Sequence, residues 1–145
     1  GGIRQTWRFL RVVQQTGGVR PYYRTHLSKR VNPINFLRIV NRDAQERMYR
    51  NMAECLMLNP EYRGIASGSW FYDPQLEVAS PHLAFLRQFP VERGAFFFRV
   101  GGTDNNYGFA HSRRRQQLHD QGQYTPTNYA LVWPRNAIIA WAEGR

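Results

Sequence analysis

The chain has a single cysteine, Cys55, which leaves no disulfide within it and no cysteine-based zinc site. It has one lysine, Lys29, among twenty basic residues, and the other nineteen are arginine. Long apolar runs are missing as well. Ala95–Phe98 and Tyr129–Trp133 fall far short of the roughly 20 apolar residues that a membrane-crossing helix needs, so no membrane span is expected. Arg4, Arg8 and Arg11 interrupt every apolar stretch near the start, so no export leader is read there and a cytoplasmic setting is expected. There is no fixed-period repeat and no low-complexity tract. The most informative absence is acidic. Residues 1 to 42 carry eight arginines and Lys29 with no Asp or Glu, whereas residues 43 to 145 carry eleven arginines and all ten acids. Nine of the ten net positive charges therefore sit in under a third of the chain.

What is present suits one domain spanning residues 1–145. Of these 145 residues 42% are hydrophobic and 14% aromatic, too many for a disordered chain, and a chain of this length buries about two-thirds of its unfolded surface. Within it the sequence divides into a basic N-terminal helix and connector (1–42) and a near-neutral body (43–145).

Ile3, Trp7, Leu10 and Val13 or Gln14 mark one face at helical spacing, and Arg4, Arg8 and Arg11 mark another. This predicts a basic amphipathic helix ended by Gly17-Gly18. A basic, aromatic connector follows over 19–33, and residues 36–40 fit a short helix or a strand. Asp43 and Glu46 have capping-box spacing. The Met48, Met52, Cys55, Leu56 stripe predicts a helix over 44–58 with Cys55 as a small buried side chain, stopped by Asn59-Pro60. A strand is expected over 64–72. Ser80-Pro81 reads as a helix cap and first residue, with the helix running to Gln88 and closed by Pro90. The apolar and aromatic run from Ala95 to Val100, interrupted by Arg99, reads as a strand buried on both faces. A Gly101-Gly102 loop, a polar helix near 111–121 and a strand at Tyr129–Trp133 complete the body, with Pro134 opening a final helix or a hairpin return. Strands alternating with helices predict an α/β fold: a three-layer arrangement whose mixed or mostly parallel sheet is flanked by helices, with the basic N-terminal helix added.

In such sheets ligands bind beyond the carboxyl ends of the strands. Those ends carry Asp73, then Gly101, Gly102, Asp104 and Asn105, then Trp133 and Arg135. Two glycines permit close backbone approach, and the next helix opens Ser112-Arg113-Arg114-Arg115, so its free N–H groups and guanidinium groups form an anion cradle. The ligand set read from this pattern is Gly101, Gly102, Asp104, Asn105, Arg113, Arg114 and Asp73, and the ligand an anionic small molecule bearing phosphate. The same residues also fit a plain loop and a solvated helix, and Asp73 and Asp104 also fit turn positions. His111, Arg115 and His119 share one helical stripe. No metal site is expected there, because only Asp120 lies near as an acid. The alternative reading rests on the basic third. Arg4, Arg8, Arg11, Arg20 and Arg24 are interleaved with Trp7, Tyr22 and Tyr23, which fits nucleic-acid contact through phosphates and stacking. It fits equally an acidic protein surface, or a helix docked on its own domain.

The stretch Arg114-Arg115-Gln116-Gln117-Leu118-His119-Asp120-Gln121-Gly122-Gln123-Tyr124 resembles the final helix and turn of GNAT-type acyltransferases, where an A-x-x-L-Y-E-x-x-G-F pattern precedes a strand. Ser80 to Phe98 has a looser form of the same helix–Gly–strand arrangement. The resemblance implies acyl-CoA as cofactor and an acyl-CoA-dependent transferase activity toward an amine. It places His119, as candidate catalytic proton carrier, where the family often has a tyrosine. The family's Q/R-x-x-G-x-G/A pyrophosphate loop has no counterpart, because Arg63-Gly64-Ile65-Ala66-Ser67-Gly68 sets its glycines at other offsets.

Overall fold

A mixed four-stranded sheet flanked by helices organises the protein, here described from a computed structural model for residues 3, 4, 7, 10, 11, 13, 14, 18, 21–25, 37, 40–102 and 108–145. The strands are β1 (Tyr23–Arg24), β2 (Gly64–Ser69), β3 (Phe96–Gly102) and β4 (Thr127–Pro134), in the spatial order β1-β2-β4-β3. The helices are α1 (Arg42–Leu58), α2 (Leu76–Ala79), α3 (Phe85–Val91), α4 (Arg113–Asp120) and α5 (Arg135–Ala142). The α/β class and the mixed sheet follow the sequence pattern. The parallel alternative does not hold, because β4 enters between β2 and β3 and runs antiparallel to both. Among the described strands only the short β1 pairs in parallel, on β2.

That topology moves one edge of the expected site. With β4 reversed, Pro134 pairs with Gly64 at the start of β2, while Thr127 pairs with Gly102 at the end of β3. Trp133 and Arg135 therefore lie at the opposite end of the sheet from Asp73 and Gly101. Arg135 has an architectural role there. Its guanidinium Nη1 donates to the carbonyls of Leu56, Asn59 and Tyr62, and so ties the end of α1 and the turn after it to the start of α5.

The core forms on one face of the sheet. Strand alternation puts Ile65, Leu131, Trp133 and Phe97 on that face, under Tyr49, Ala53 and Leu56 of α1, Phe89 of α3 and Ile138 of α5. Trp133 is fully buried, its ring edge-on to Tyr49 at 5.0 Å between centroids, and its indole N–H donates to Arg93 O at 3.0 Å. The opposite face shows Ala66, Ala130 and Val132 half-buried and Gly68 exposed. Strand β3 lies at the edge of the sheet, so Phe96, Phe97 and Phe98 are only half-buried. The expectation of a strand covered on both faces is corrected by that edge position. Gly101 and Gly102 belong to the β3 ladder rather than to a loop, after a bulge between Arg99 and Gly101.

Several local readings shift. Helix α1 is capped by Asn41, whose side chain accepts from Ala44 N at 2.9 Å, leaving Asp43 in the first turn beside the positive end of the helix dipole. Its buried stripe is Gln45, Tyr49, Ala53 and Leu56, one position from the expected face, so Cys55 and Met48 are exposed. Strand β2 ends at Ser69, whose hydroxyl caps a 3-10 turn over Trp70–Tyr72. Ser80 caps no helix: its hydroxyl accepts from Arg115 Nη1 at 2.8 Å, a 3-10 turn spans Pro81–Leu83, and Pro90 lies inside α3 rather than beyond it. Residues 135–142 are helical, which decides between the two readings of the C-terminal segment. The uncertain 36–40 segment lies mostly outside the described residues.

Candidate functional site

A concave feature that combines apolar walls with a buried polar group lies between α1 and the end of β2. It is a cleft of about 400 Å³. Helix α1 lines it with Ala44, Gln45, Met48, Tyr49 and Met52, and the β2 exit with Ser67, Gly68, Ser69, Phe71 and Tyr72. Leu86 of α3 also lines it, and Thr25 and Val40 reach it from the chain before α1. Each side follows from local structure. Helical periodicity brings residues 45, 48, 49 and 52 onto adjacent rows. The cap on the 3-10 turn swings Phe71 and Tyr72 back toward α1.

A proline explains the most unusual residue. Within α3 the carbonyl of Leu86 would take the N–H of residue 90, but Pro90 has none. Gln45 supplies the missing donor, its Nε2 lying 3.1 Å from Leu86 O. That bond sets which way the amide faces, and Gln45 Oε1 is left buried without a hydrogen-bond partner among the described residues. Gln45 is only 3% exposed. A buried amide oxygen in this condition costs about 1–3 kcal/mol, and Gln45 is one of the residues that line the cleft.

Beside it runs a line of hydroxyls. Gln45 meets Tyr49 with the N–H side of its amide, not with Oε1, and side-chain hydrogen bonds then link Tyr49 to Tyr72 and Tyr72 to Ser67. Burial pushes the Tyr49 phenol well above its ordinary value, with the neighbouring Tyr72 adding to the shift, and burial likewise raises Tyr72. Both phenols stay protonated at neutral pH and serve as hydrogen-bonding groups, not as bases. The cleft can therefore hold an apolar body, present hydroxyls to it, and accept one N–H or O–H at Gln45 Oε1.

The residues expected to bind an anion lie elsewhere. Asp73 is buried at the end of the β2 turn, where its carboxylate accepts from Gln75 N at 2.9 Å, Gln75 Nε2 at 3.0 Å and Thr127 N at 3.0 Å. Burial raises its pKa against the opposing pull of these bonds. Asp73 thus ties the turn after β2 to the first residue of β4. Gly101 and Gly102 pair with Asn128 and Thr127, and both have open space where a Cβ would stand. Asp104 and Asn105 lie outside the described residues. Helix α4 begins at Arg113 with Ser112 as its cap. Arg113 is exposed, while Arg114 Nη2 donates to Val78 O at 3.1 Å.

Arg115 is 4% exposed, and its partners are neutral: Gly108 O at 2.7 Å, Ser80 Oγ and the face of Trp70. Desolvation lowers its pKa. His119 stacks on Phe109 at 4.0 Å, with Nδ1 3.0 Å from Tyr124 O, so that nitrogen is engaged with its own turn. Of the basic third, Arg4, Arg11 and Arg24 are exposed, and Arg8 and Arg20 lie outside the described residues. Among the described residues no three His, Cys, Asp or Glu side chains gather as metal ligands, and no helix is long and apolar enough to cross a membrane.

The sequence pattern does not single out Gln45 or Tyr49, and it gives Ser67 and Tyr72 only as parts of a strand. The available signal was the spacing 45, 49, 53, 56, a helical stripe disguised by its polar first member. No protein-family model, curated protein or solved structure matches the chain.

Proposed function

We propose that the protein binds an amphipathic small molecule, its aliphatic part held in the cleft between α1 and β2 and an N–H or O–H donor facing Gln45 Oε1. The unpartnered, buried oxygen at the cleft wall carries this reading. Met48, Met52, Val40, Phe71 and Leu86 suit an aliphatic chain, and unbranched methionines adapt to ligands of varied shape. The positive charge concentrated in residues 1 to 42 supports an anionic end group. Acyl-CoA joins these properties in one molecule: a fatty chain, amide N–H groups along its pantetheine arm, and phosphates. It is also the cofactor implied by the resemblance to GNAT-type acyltransferases. In the fold α3 is followed by Gly94 and β3, and α4 by Gly122 and β4. With both cleft phenols held protonated, binding is the supported role, and acyl transfer is a further step that requires a base from elsewhere.

Calorimetric titration with lauroyl-CoA, with free CoA as control, tests the proposal. The acyl thioester is expected to bind the wild-type protein more tightly than CoA. Gln45→Met is expected to weaken it about tenfold, the worth of one hydrogen bond. Equal affinity for both compounds, or an unchanged affinity in Gln45→Met, contradicts it.

A further inference from the structure

The basic N-terminal segment presents a second surface, independent of the cleft. Every described residue between Ile3 and Gln14 is helical, and Gly18, at φ +134°, donates its N–H to Val13 O at 2.9 Å beyond the last of them. Ile3, Trp7 and Leu10 follow one another at i, i+4 and i+7, and they are 78%, 66% and 49% exposed. Elsewhere large apolar side chains of the described body are exposed singly or in sequence-adjacent pairs, as with Val78, Val91 and Val100. Arg4 and Arg11 are also exposed. On an ideal helix they lie about 100° and 80° around from Ile3, along one border of the apolar row. The helix is therefore not docked on its own domain by that row.

We propose that this helix lies on an anionic lipid surface, with Ile3, Trp7 and Leu10 entering the boundary between headgroups and acyl chains and Arg4 and Arg11 meeting headgroup phosphates. Charge complementarity identifies the occupant: the surrounding 42 residues contain nine basic side chains and no acid, which favours a negatively charged surface over a neutral one. The apolar row separates lipid from nucleic acid. Phosphates and bases would engage the arginines and Trp7, but would leave Ile3 and Leu10 in water, whereas a bilayer interface takes all five side chains. An indole at the border between the apolar and polar faces is the arrangement found at membrane interfaces.

Vesicle sedimentation of the whole chain tests this, with phosphatidylcholine vesicles containing phosphatidylglycerol compared with phosphatidylcholine alone. Binding is expected to the anionic vesicles and to fall with salt. Arg4→Gln with Arg11→Gln is expected to lower it roughly 25-fold, at about fivefold per guanidinium, and Ile3→Ser with Leu10→Ser to lower it at least tenfold. Brominated lipid should quench tryptophan emission in the wild type and lose most of that effect in Trp7→Phe. Failure to bind anionic vesicles at low salt, equal binding to neutral ones, or indifference to the Ile3 and Leu10 substitutions overturns the proposal. So does tight retention of an RNA oligomer by a protein that ignores vesicles, which would assign the surface to nucleic acid.

Discussion

Gly64 shows how closely single residues are constrained. Its φ is +155°, and a Cβ placed there would stand 2.2 Å from Trp133 O, a backbone atom of the neighbouring strand that cannot move without breaking the β2–β4 ladder. Gly64→Ala is accordingly expected to destabilise the protein by about 3 kcal/mol or more, through strain and a lost ladder contact. Urea titration followed by circular dichroism measures it, and a change below about 1 kcal/mol would show that the strand start relaxes. Arginine is the other residue-scale theme. In the body Arg50, Arg93 and Arg115 lie over Trp141, Phe89 and Trp70, and Arg87 over Phe97 and Tyr129. Each of these four also donates to a backbone carbonyl. Planar, delocalised guanidinium groups suit this double duty better than lysine. The arginine content of the near-neutral body thus has a structural use that composition alone could not separate from phosphate binding.

At the scale of elements, α1 and α3 are joined by the proline defect. Gln45→Met removes the donor that Leu86 O receives, a loss of about 1–2 kcal/mol, and with it the unpartnered burial of Oε1, so the net cost should be smaller than that loss. Pro90→Ala restores an N–H inside α3, so the two substitutions together should be less damaging than their sum by roughly 1 kcal/mol. A double-mutant cycle from denaturant unfolding reads this coupling; simple additivity would mean that Gln45 is not answering the proline. Elements also show what the sequence made legible. Helix α1 was clear because Asn59-Pro60 and its apolar periodicity agree, and β4 was clear because Tyr129–Trp133 is uninterrupted. The turn over Trp70–Tyr72 was not, since three aromatics after β2 look like more strand until the Ser69 cap is seen. The cleft was hidden for a similar reason. Gln45 looks like a solvent residue, and its burial depends on a carbonyl 41 positions away. The expected Gly101 and Arg113 site rested on local chemistry, and local chemistry does not report that β4 is reversed or that Gly101 pairs in a ladder.

For the whole molecule, three phenols tie stability to alkaline pH. Tyr49, Tyr72 and Tyr124 are 2%, 5% and 1% exposed, and burial raises all three pKa values. Unfolded tyrosines ionise near pH 10 while the folded ones keep their protons, so the native state holds more protons above that pH. Their contribution is fully present below about pH 10 and is lost as pH rises toward the folded values. The thermal midpoint is expected to fall steeply over that interval, together with the appearance of tyrosinate absorbance. Tyr124→Phe should reduce the fall, and a flat profile would mean that these phenols are not buried in solution. The same scale separates the charge into its parts: a body whose arginines are largely used for packing and capping, and an N-terminal third whose positive charge remains for an anionic partner.

The cleft is the centre of the account, and the dependence of affinity on acyl chain length tests it most directly. In calorimetric titrations from butyryl-CoA to lauroyl-CoA, each added methylene should tighten binding about fourfold, from about 0.8 kcal/mol per buried methylene, until the cleft is filled. Ala44→Trp, which places an indole at the cleft wall, should abolish that dependence while leaving the circular dichroism spectrum unchanged. A wild-type affinity that does not vary with chain length, or a slope that survives in Ala44→Trp, would contradict it.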